Sequence, residues 1–195
     1  MTYLYRIVAL LIAITVHEFS HGKVADMLGD PTARKSGRLS LNPIRHLDPI
    51  GSLMIILVGF GWAKPVPVNP SNFQNPQRGM LYVGLAGPLA NFTTAFLFGL
   101  PIKMGLVPHQ TVISGVILTI VWINTALGVF NLLPIPPLDG SNVLAAFLPR
   151  SALRTYWAWE RYGILILFLL IVVFDGIFIS GILFPMVNFL LSFFL

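Results

Sequence analysis

Long runs without charge decide most of what this chain can become. Residues 79–102 and 111–133 carry no charged side chain, and residues 162–195 carry only Asp175. A bilayer crossing takes about 20 consecutive apolar residues in a helix, so each run is long enough to span. A further apolar segment runs from the amino terminus to about residue 24 and reads as a retained span, because no small-residue cleavage pattern follows it. Charged residues make up only 10% of the chain, against roughly 25% in an ordinary soluble domain. So few charges cannot cover a water-soluble globule, whereas a chain lying mostly in lipid needs polar groups only at its two wet ends.

In lipid the backbone must satisfy its own hydrogen bonds, which favours helices. The expected fold is therefore an all-α polytopic membrane protein of four to five transmembrane helices, forming a single domain over residues 1–195. The helices are expected at about residues 4–25, 79–102, 111–135, 157–174 and 177–195. The last uncharged region exceeds one span. Asp175-Gly176 can turn it into a hairpin of two helices, or Pro185 can end one tilted helix. Residues 49–63 are uncharged but short, contain three glycines, and precede Lys64-Pro65-Val66-Pro67-Val68-Asn69-Pro70. That composition suggests a re-entrant or β-hairpin element at about 49–70, buried by protein or lining a wet cavity.

Cysteine is absent, which excludes disulfides, thiolate zinc sites, iron–sulfur clusters and cysteine nucleophiles. The net charge of +5 does not point to nucleic acid, because the bases are scattered singly and do not alternate with exposed aromatics. Topology explains them better. Ten of the twelve fall in the loops after the first and third spans: Lys23, Arg34, Lys35, Arg38, Arg45, Lys64, Arg78, Arg150, Arg154 and Arg161. Arg6 and Lys103 lie on the other side, so the positive-inside rule predicts a cell-membrane protein with its amino terminus outside and its ten-base side cytoplasmic.

The first span contains His17-Glu18-Phe19-Ser20-His21. On a helix, positions i and i+4 share a face, so both imidazoles can reach one Zn2+ while Glu18 stands beside a metal-bound water. If Lys23 marks the interface, His17 lies about 9 Å deeper at the helical rise. Water would then reach the metal through a polar cavity open to the cytoplasm. The alternative, polar residues snorkelling at a helix end, leaves a Glu and two His in a span without a task.

Two His leave tetrahedral zinc one protein ligand short, and the candidates are His46, His109, Asp26, Asp30, Asp48, Asp139, Glu160 and Asp175. His109 and Asp175 are expected on the far side of the membrane from the motif. Asp26 and Asp30 follow the motif too closely to fold back, and His46 reads as part of a turn. Asp139 lies where the third span ends, in Asn131-Leu132-Leu133-Pro134-Ile135-Pro136-Pro137-Leu138-Asp139-Gly140. Prolines unwind the helix there and allow a carboxylate to face inward. Asp139 could equally be a turn or capping residue before Ser141; beside the first motif, ligation is favoured.

H-E-x-x-H in an early span, followed by N-x-x-P-x-P-x-L-D-G at the end of a later one, resembles the site-2 protease family of intramembrane zinc metalloproteases. The likeness covers most of the chain and is to the compact prokaryotic type, without fused peptide-binding or nucleotide-sensing domains. It implies that His17, His21 and Asp139 bind one zinc, that Glu18 is the catalytic acid and base, and that Asn131 lies in the site. Gly87-Pro88-Leu89-Ala90-Asn91 is similar to the family's G-x-x-x-N/S/G element. Physically, Asn91 can donate to a substrate carbonyl or oxyanion, or make an interhelical hydrogen bond. The segment 61–70 resembles the family's membrane-associated β element, which would hold an unwound substrate as an added strand, or it is a proline-stiffened loop over the cavity.

The implied activity is an endopeptidase acting on transmembrane protein substrates in the lipid bilayer, with no nucleic-acid partner. Any regulatory membrane partner or homo-oligomer is left open. A transporter or metal-ion channel is the rival class, but its polar residues should reach both faces. A purely structural membrane protein leaves Glu18 unexplained.

Overall fold

The computed structural model describes residues 2–58, 61–108 and 110–195. His109, weighed above as a ligand, and residues 59–60 of the short uncharged element lie outside the described residues. The helices are α1 (Thr2–Met27), α2 (Thr32–Lys35), α3 (Pro49–Val58), α4 (Pro76–Lys103), α5 (Val112–Asn131), α6 (Asp139–Phe147), α7 (Arg150–Ala158), α8 (Glu160–Val172), α9 (Asp175–Phe178) and α10 (Phe184–Phe194). A π-helical turn, Ile179–Leu183, joins α9 to α10. Four helical stretches are long and apolar enough to cross a membrane: Tyr3–Met27, Pro76–Lys103, Val112–Asn131 and Gly176–Phe194. Leu89, Leu97, Ile113, Leu165 and Phe189 are each more than half exposed, as side chains facing lipid would be.

The long helices start where their side chains can cap them. Asn75 accepts from the Arg78 amide at 3.1 Å ahead of Pro76, and Thr111 with Ser114 forms a reciprocal capping box before α5. Helices α1, α4 and α5 pack on one another, with α6 against α4. Small residues make the approach possible, because lipid provides no hydrophobic drive between helices and close van der Waals contact must replace it. Ala9, Ala13 and Ala25 of α1 and Ala95 of α4 are fully buried, and Gly79, Gly84 and Gly87 of α4 are buried. A methyl group on Gly84 would lie 3.0 Å from the Asp139 carbonyl oxygen, so this glycine brings the start of α6 against α4.

The last third of the chain departs from the expected arrangement of Asp175. Leu183 and Val187 pack on Val129 near the carboxyl end of α5, while Lys103 Nζ at the end of α4 donates to the Phe193 carbonyl at 2.7 Å. The Gly176–Phe194 stretch thus runs antiparallel to α5 and ends level with the end of α4. Its start, with the Asp175 backbone, lies at the end of the bundle that holds Asp139, not at the far side. Helices α7 and α8 are bent by 56° at the break between them, as in a broken span or a re-entrant loop. A methyl group on Gly163 would collide with the Pro136 carbonyl oxygen, so α8 starts pressed against the proline loop.

Of the forms expected for 49–70, the described residues show a ten-residue helix, α3, followed by an extended segment. Pro49 suits the first helical position and Asp48 Oδ1 accepts from the Gly51 amide at 2.8 Å, so α3 has a normal start despite its β-branched content. A single antiparallel bridge pairs Leu47 with Ala63, and no strand occurs among the described residues.

Candidate metal centre

His17 and His21 are one turn apart on α1 and both are buried. Each ring is held by its Nδ1. His17 Nδ1 is 2.7 Å from Asn91 Oδ1, and His21 Nδ1 is 2.7 Å from the Val83 carbonyl oxygen, both on α4. A carbonyl only accepts, so His21 Nδ1 carries a proton, and in the neutral ring the Nε2 lone pair is then available to a metal; the same holds for His17 opposite an amide oxygen. This is the outer-shell arrangement that fixes the tautomer of a metal-binding imidazole.

Asp139, the first residue of α6, faces both free nitrogens. Its Oδ2 is 3.1 Å from His17 Nε2 and 3.2 Å from His21 Nε2, and the three ligand atoms lie within 4.8 Å of one another. Oδ2 is buried and accepts no hydrogen bond, so the imidazoles approach it without aligning on it. Zinc bond lengths of 2.0–2.2 Å in a tetrahedron place neighbouring ligand atoms about 3.3 Å apart, close to these separations. The donor set, the orphaned oxygen and the freed nitrogens all fit a zinc ion. No side chain caps α6, so the capping alternative for Asp139 finds no hydrogen bond.

Gly87 of α4 completes the cradle. A methyl group there would lie 2.5 Å from His21 Nε2 and 2.7 Å from His17 Nε2. The two imidazoles therefore lie directly against the backbone of α4.

Glu18 is buried beside the triad, and its Oε2 accepts from the Val66 amide at 2.9 Å. The segment after α3 is thus laid across α1, pinned at several points. Arg38 Nη2 donates to the Lys64 carbonyl at 2.5 Å and the Lys64 amide to the His46 carbonyl at 2.9 Å. Asp30 Oδ2 accepts from the Asn69 amide at 2.7 Å and Oδ1 from Asn72 Nδ2 at 2.6 Å. Burial pushes the Asp30 carboxyl up, but hydrogen bonds from Thr32, Asn69 and Asn72 outweigh it and hold the group below its usual range. Asp30 is an anionic pin for this strap.

Asp26, Asp48 and His46 have structural partners. Asp26 pairs with Arg34, Asp48 caps α3, and His46 is fully buried with Nε2 2.7 Å from the Ser40 carbonyl. Glu160 opens α8, away from the triad. Asn91 makes the interhelical hydrogen bonds weighed above. Its Nδ2 donates to the Ala13 carbonyl at 3.0 Å and to Asn124 Oδ1 at 2.9 Å, so both N–H groups are engaged. Asn131 Nδ2 donates to the Leu127 carbonyl of its own helix, and no hydrogen bond joins it to the triad among the described residues. Val66, Val83 and Asn124 were not foreseen. Only Asn124 left a signal, as a lone amide in the middle of an uncharged span.

The model of peptidase family M50 matches residues 100–174, which include Asp139 but not the His pair. A protein of Bacillus subtilis (strain 168) named "Putative zinc metalloprotease YwhC" is 38% identical over 191 residues, covering 94% of this chain and 86% of that protein. Proteins named Rip2 under the same description, from Mycolicibacterium smegmatis and Mycobacterium tuberculosis (strain H37Rv), are 32% and 29% identical. These alignments cover 83% and 82% of this chain but 64% and 63% of the relatives, so the chain spans just under two thirds of their length. No solved structure matches.

Proposed function

The chain belongs to peptidase family M50 as a zinc metalloprotease of the site-2 protease type, and from that membership we propose that it hydrolyses peptide bonds of membrane-embedded substrates from a site open to the cytoplasm. The observation that carries the proposal is the convergence of His17 Nε2, His21 Nε2 and Asp139 Oδ2 beside Glu18 within the membrane-spanning bundle. In this reading His17, His21 and Asp139 hold the metal, leaving a fourth position for water or substrate. A zinc ion held there would lower the pKa of a water molecule and polarise the scissile carbonyl. The Glu18 carboxylate takes the proton of the attacking water and returns it to the leaving nitrogen. Asn91 and the Val83 carbonyl keep the two imidazoles turned to the site. The Val66 N–H on Glu18 fixes where that carboxylate points, and substrate must approach past the strap that carries it. A transmembrane helix hides its carbonyls in internal hydrogen bonds, so the substrate must unwind before attack.

Purified protein is expected to hold one zinc per chain and to cleave a detergent-embedded transmembrane peptide. Chelation should stop cleavage and added zinc restore it. Cleavage that survives complete metal removal would overturn the reading. Sidedness has its own test, aided by the absence of cysteine. Lys35→Cys, at the exposed end of α2, should resist an impermeant thiol reagent in intact cells and react after permeabilisation. Labelling from outside would reverse the orientation.

A further inference from the structure

Asn124 lies in the middle of α5, fully buried, and among the described residues no hydrogen bond joins it to His17, His21 or Asp139. Its Nδ2 donates to the Ile120 carbonyl of its own helix at 2.9 Å, while its Oδ1 accepts from Asn91 Nδ2 at 2.9 Å. Because Ile120 O can only accept, the amide of Asn124 is oriented with its nitrogen toward its own backbone and its oxygen toward Asn91. Asn91 Nδ2 also donates to the Ala13 carbonyl, so its oxygen is left facing His17 Nδ1 at 2.7 Å. Each amide nitrogen in this chain donates to an oxygen, and one orientation of each amide fits all of these contacts.

We propose that Asn124 is a positioning residue for the zinc site, acting through Asn91 to hold His17 with its proton on Nδ1 and its Nε2 lone pair toward Asp139. This rests on the assignment of His17, His21 and Asp139 as the zinc ligands. The polar side chain in the middle of α5 is thereby explained, since a buried amide in a span is costly unless it is fully paired. Three membrane-spanning helices share the relay: α5 sets the amide of α4, and α4 sets the imidazole of α1. If Asn124 loses its acceptor, Asn91 keeps a buried N–H without a partner and is freer to turn. Outer-shell partners of metal ligands typically change affinity by 10–100-fold when removed.

The test uses the full chain in detergent, with zinc affinity read by competition against a chelator and the ligand field by the visible spectrum of the cobalt-substituted protein. Asn124→Leu, close in volume and without polar atoms, should weaken zinc binding by about tenfold and shift the cobalt spectrum. If leucine is not accommodated, Asn124→Ala is read in the same way. Thr125→Val is the control for packing. Thr125 is equally buried on the same helix, and its hydroxyl donates only to the Val121 carbonyl at 2.8 Å. It should change neither readout. In an Asn91→Leu background, Asn124→Leu should add nothing, because its effect passes through Asn91. Wild-type affinity in Asn124→Leu, an effect matched by Thr125→Val, or a full additional loss in the double variant would each overturn the proposal. Failure of the underlying assignment has a different signature: His17→Ala would then bind zinc as tightly as the wild type.

Discussion

Glu18→Gln is expected to keep about one zinc per chain and to lower cleavage of a membrane-embedded peptide by about 10²–10⁴-fold, the range that a positioned general acid and base contributes. The substitution is nearly isosteric, and the geometry around it shows why the metal should stay. The converging atoms belong to His17, His21 and Asp139, and the two imidazoles have hydrogen bonds of their own on α4. A glutamine carbonyl can still accept from the Val66 amide, which lies 2.9 Å from Glu18 Oε2. The strap therefore remains seated, and what disappears is the ability to take a proton. The loss corresponds to about 3–5 kcal/mol of barrier. Metal analysis and single-turnover cleavage on the same preparation check both halves. Retained activity would place the base elsewhere, and lost zinc would make Glu18 part of the metal's support.

The part of this site legible in the sequence is the part written by local geometry. His17 and His21 face one way because four residues make one turn, and Asp139 stands out because prolines end the helix before it. What the sequence hid depends on how separate helices meet. The Val83 carbonyl and the Val66 amide are backbone atoms, and no residue type announces that they face His21 and Glu18. Asn124 shows itself as a polar intruder in a span, but its partner on α4 is set by the register of two helices packed through small residues. Asp175 was placed on the wrong side for a related reason. Residues 162–195 contain no Lys or Arg, so charge bias carries no information there. The contacts of Leu183 and Val187 with Val129, and of Lys103 with Phe193, decide the direction instead. In the 49–58 segment, the composition fits a re-entrant or a β-hairpin element alike, and Asp48 and Pro49 start a helix.

Gly87→Ala should cost the protein its metal, although the substitution is conservative, lies on a different helix from both His residues and usually favours a helix. The added Cβ would lie 2.5 Å from His21 Nε2, 2.6 Å from His17 Cε1 and 2.7 Å from His17 Nε2, too near for the ring atoms to stay where they are. Flexible side chains could often yield, but these two are tethered at Nδ1 to Asn91 and Val83, which belong to the same helix as Gly87. Backing α4 away would pull those tethers with it. It would also open the contact of Gly84 with the Asp139 carbonyl, which an added Cβ would approach at 3.0 Å. Either response separates the Nε2 atoms from Asp139 Oδ2, so zinc affinity is expected to fall by about 100-fold, the upper end for changes around a metal ligand, and activity with it. Gly176→Ala is the matched control, because a Cβ there meets nothing within 4 Å. Chelator competition should leave Gly176→Ala at the wild-type value while Gly87→Ala loses its zinc. Equal zinc retention by the two variants would mean that the imidazoles do not lie against α4 at Gly87.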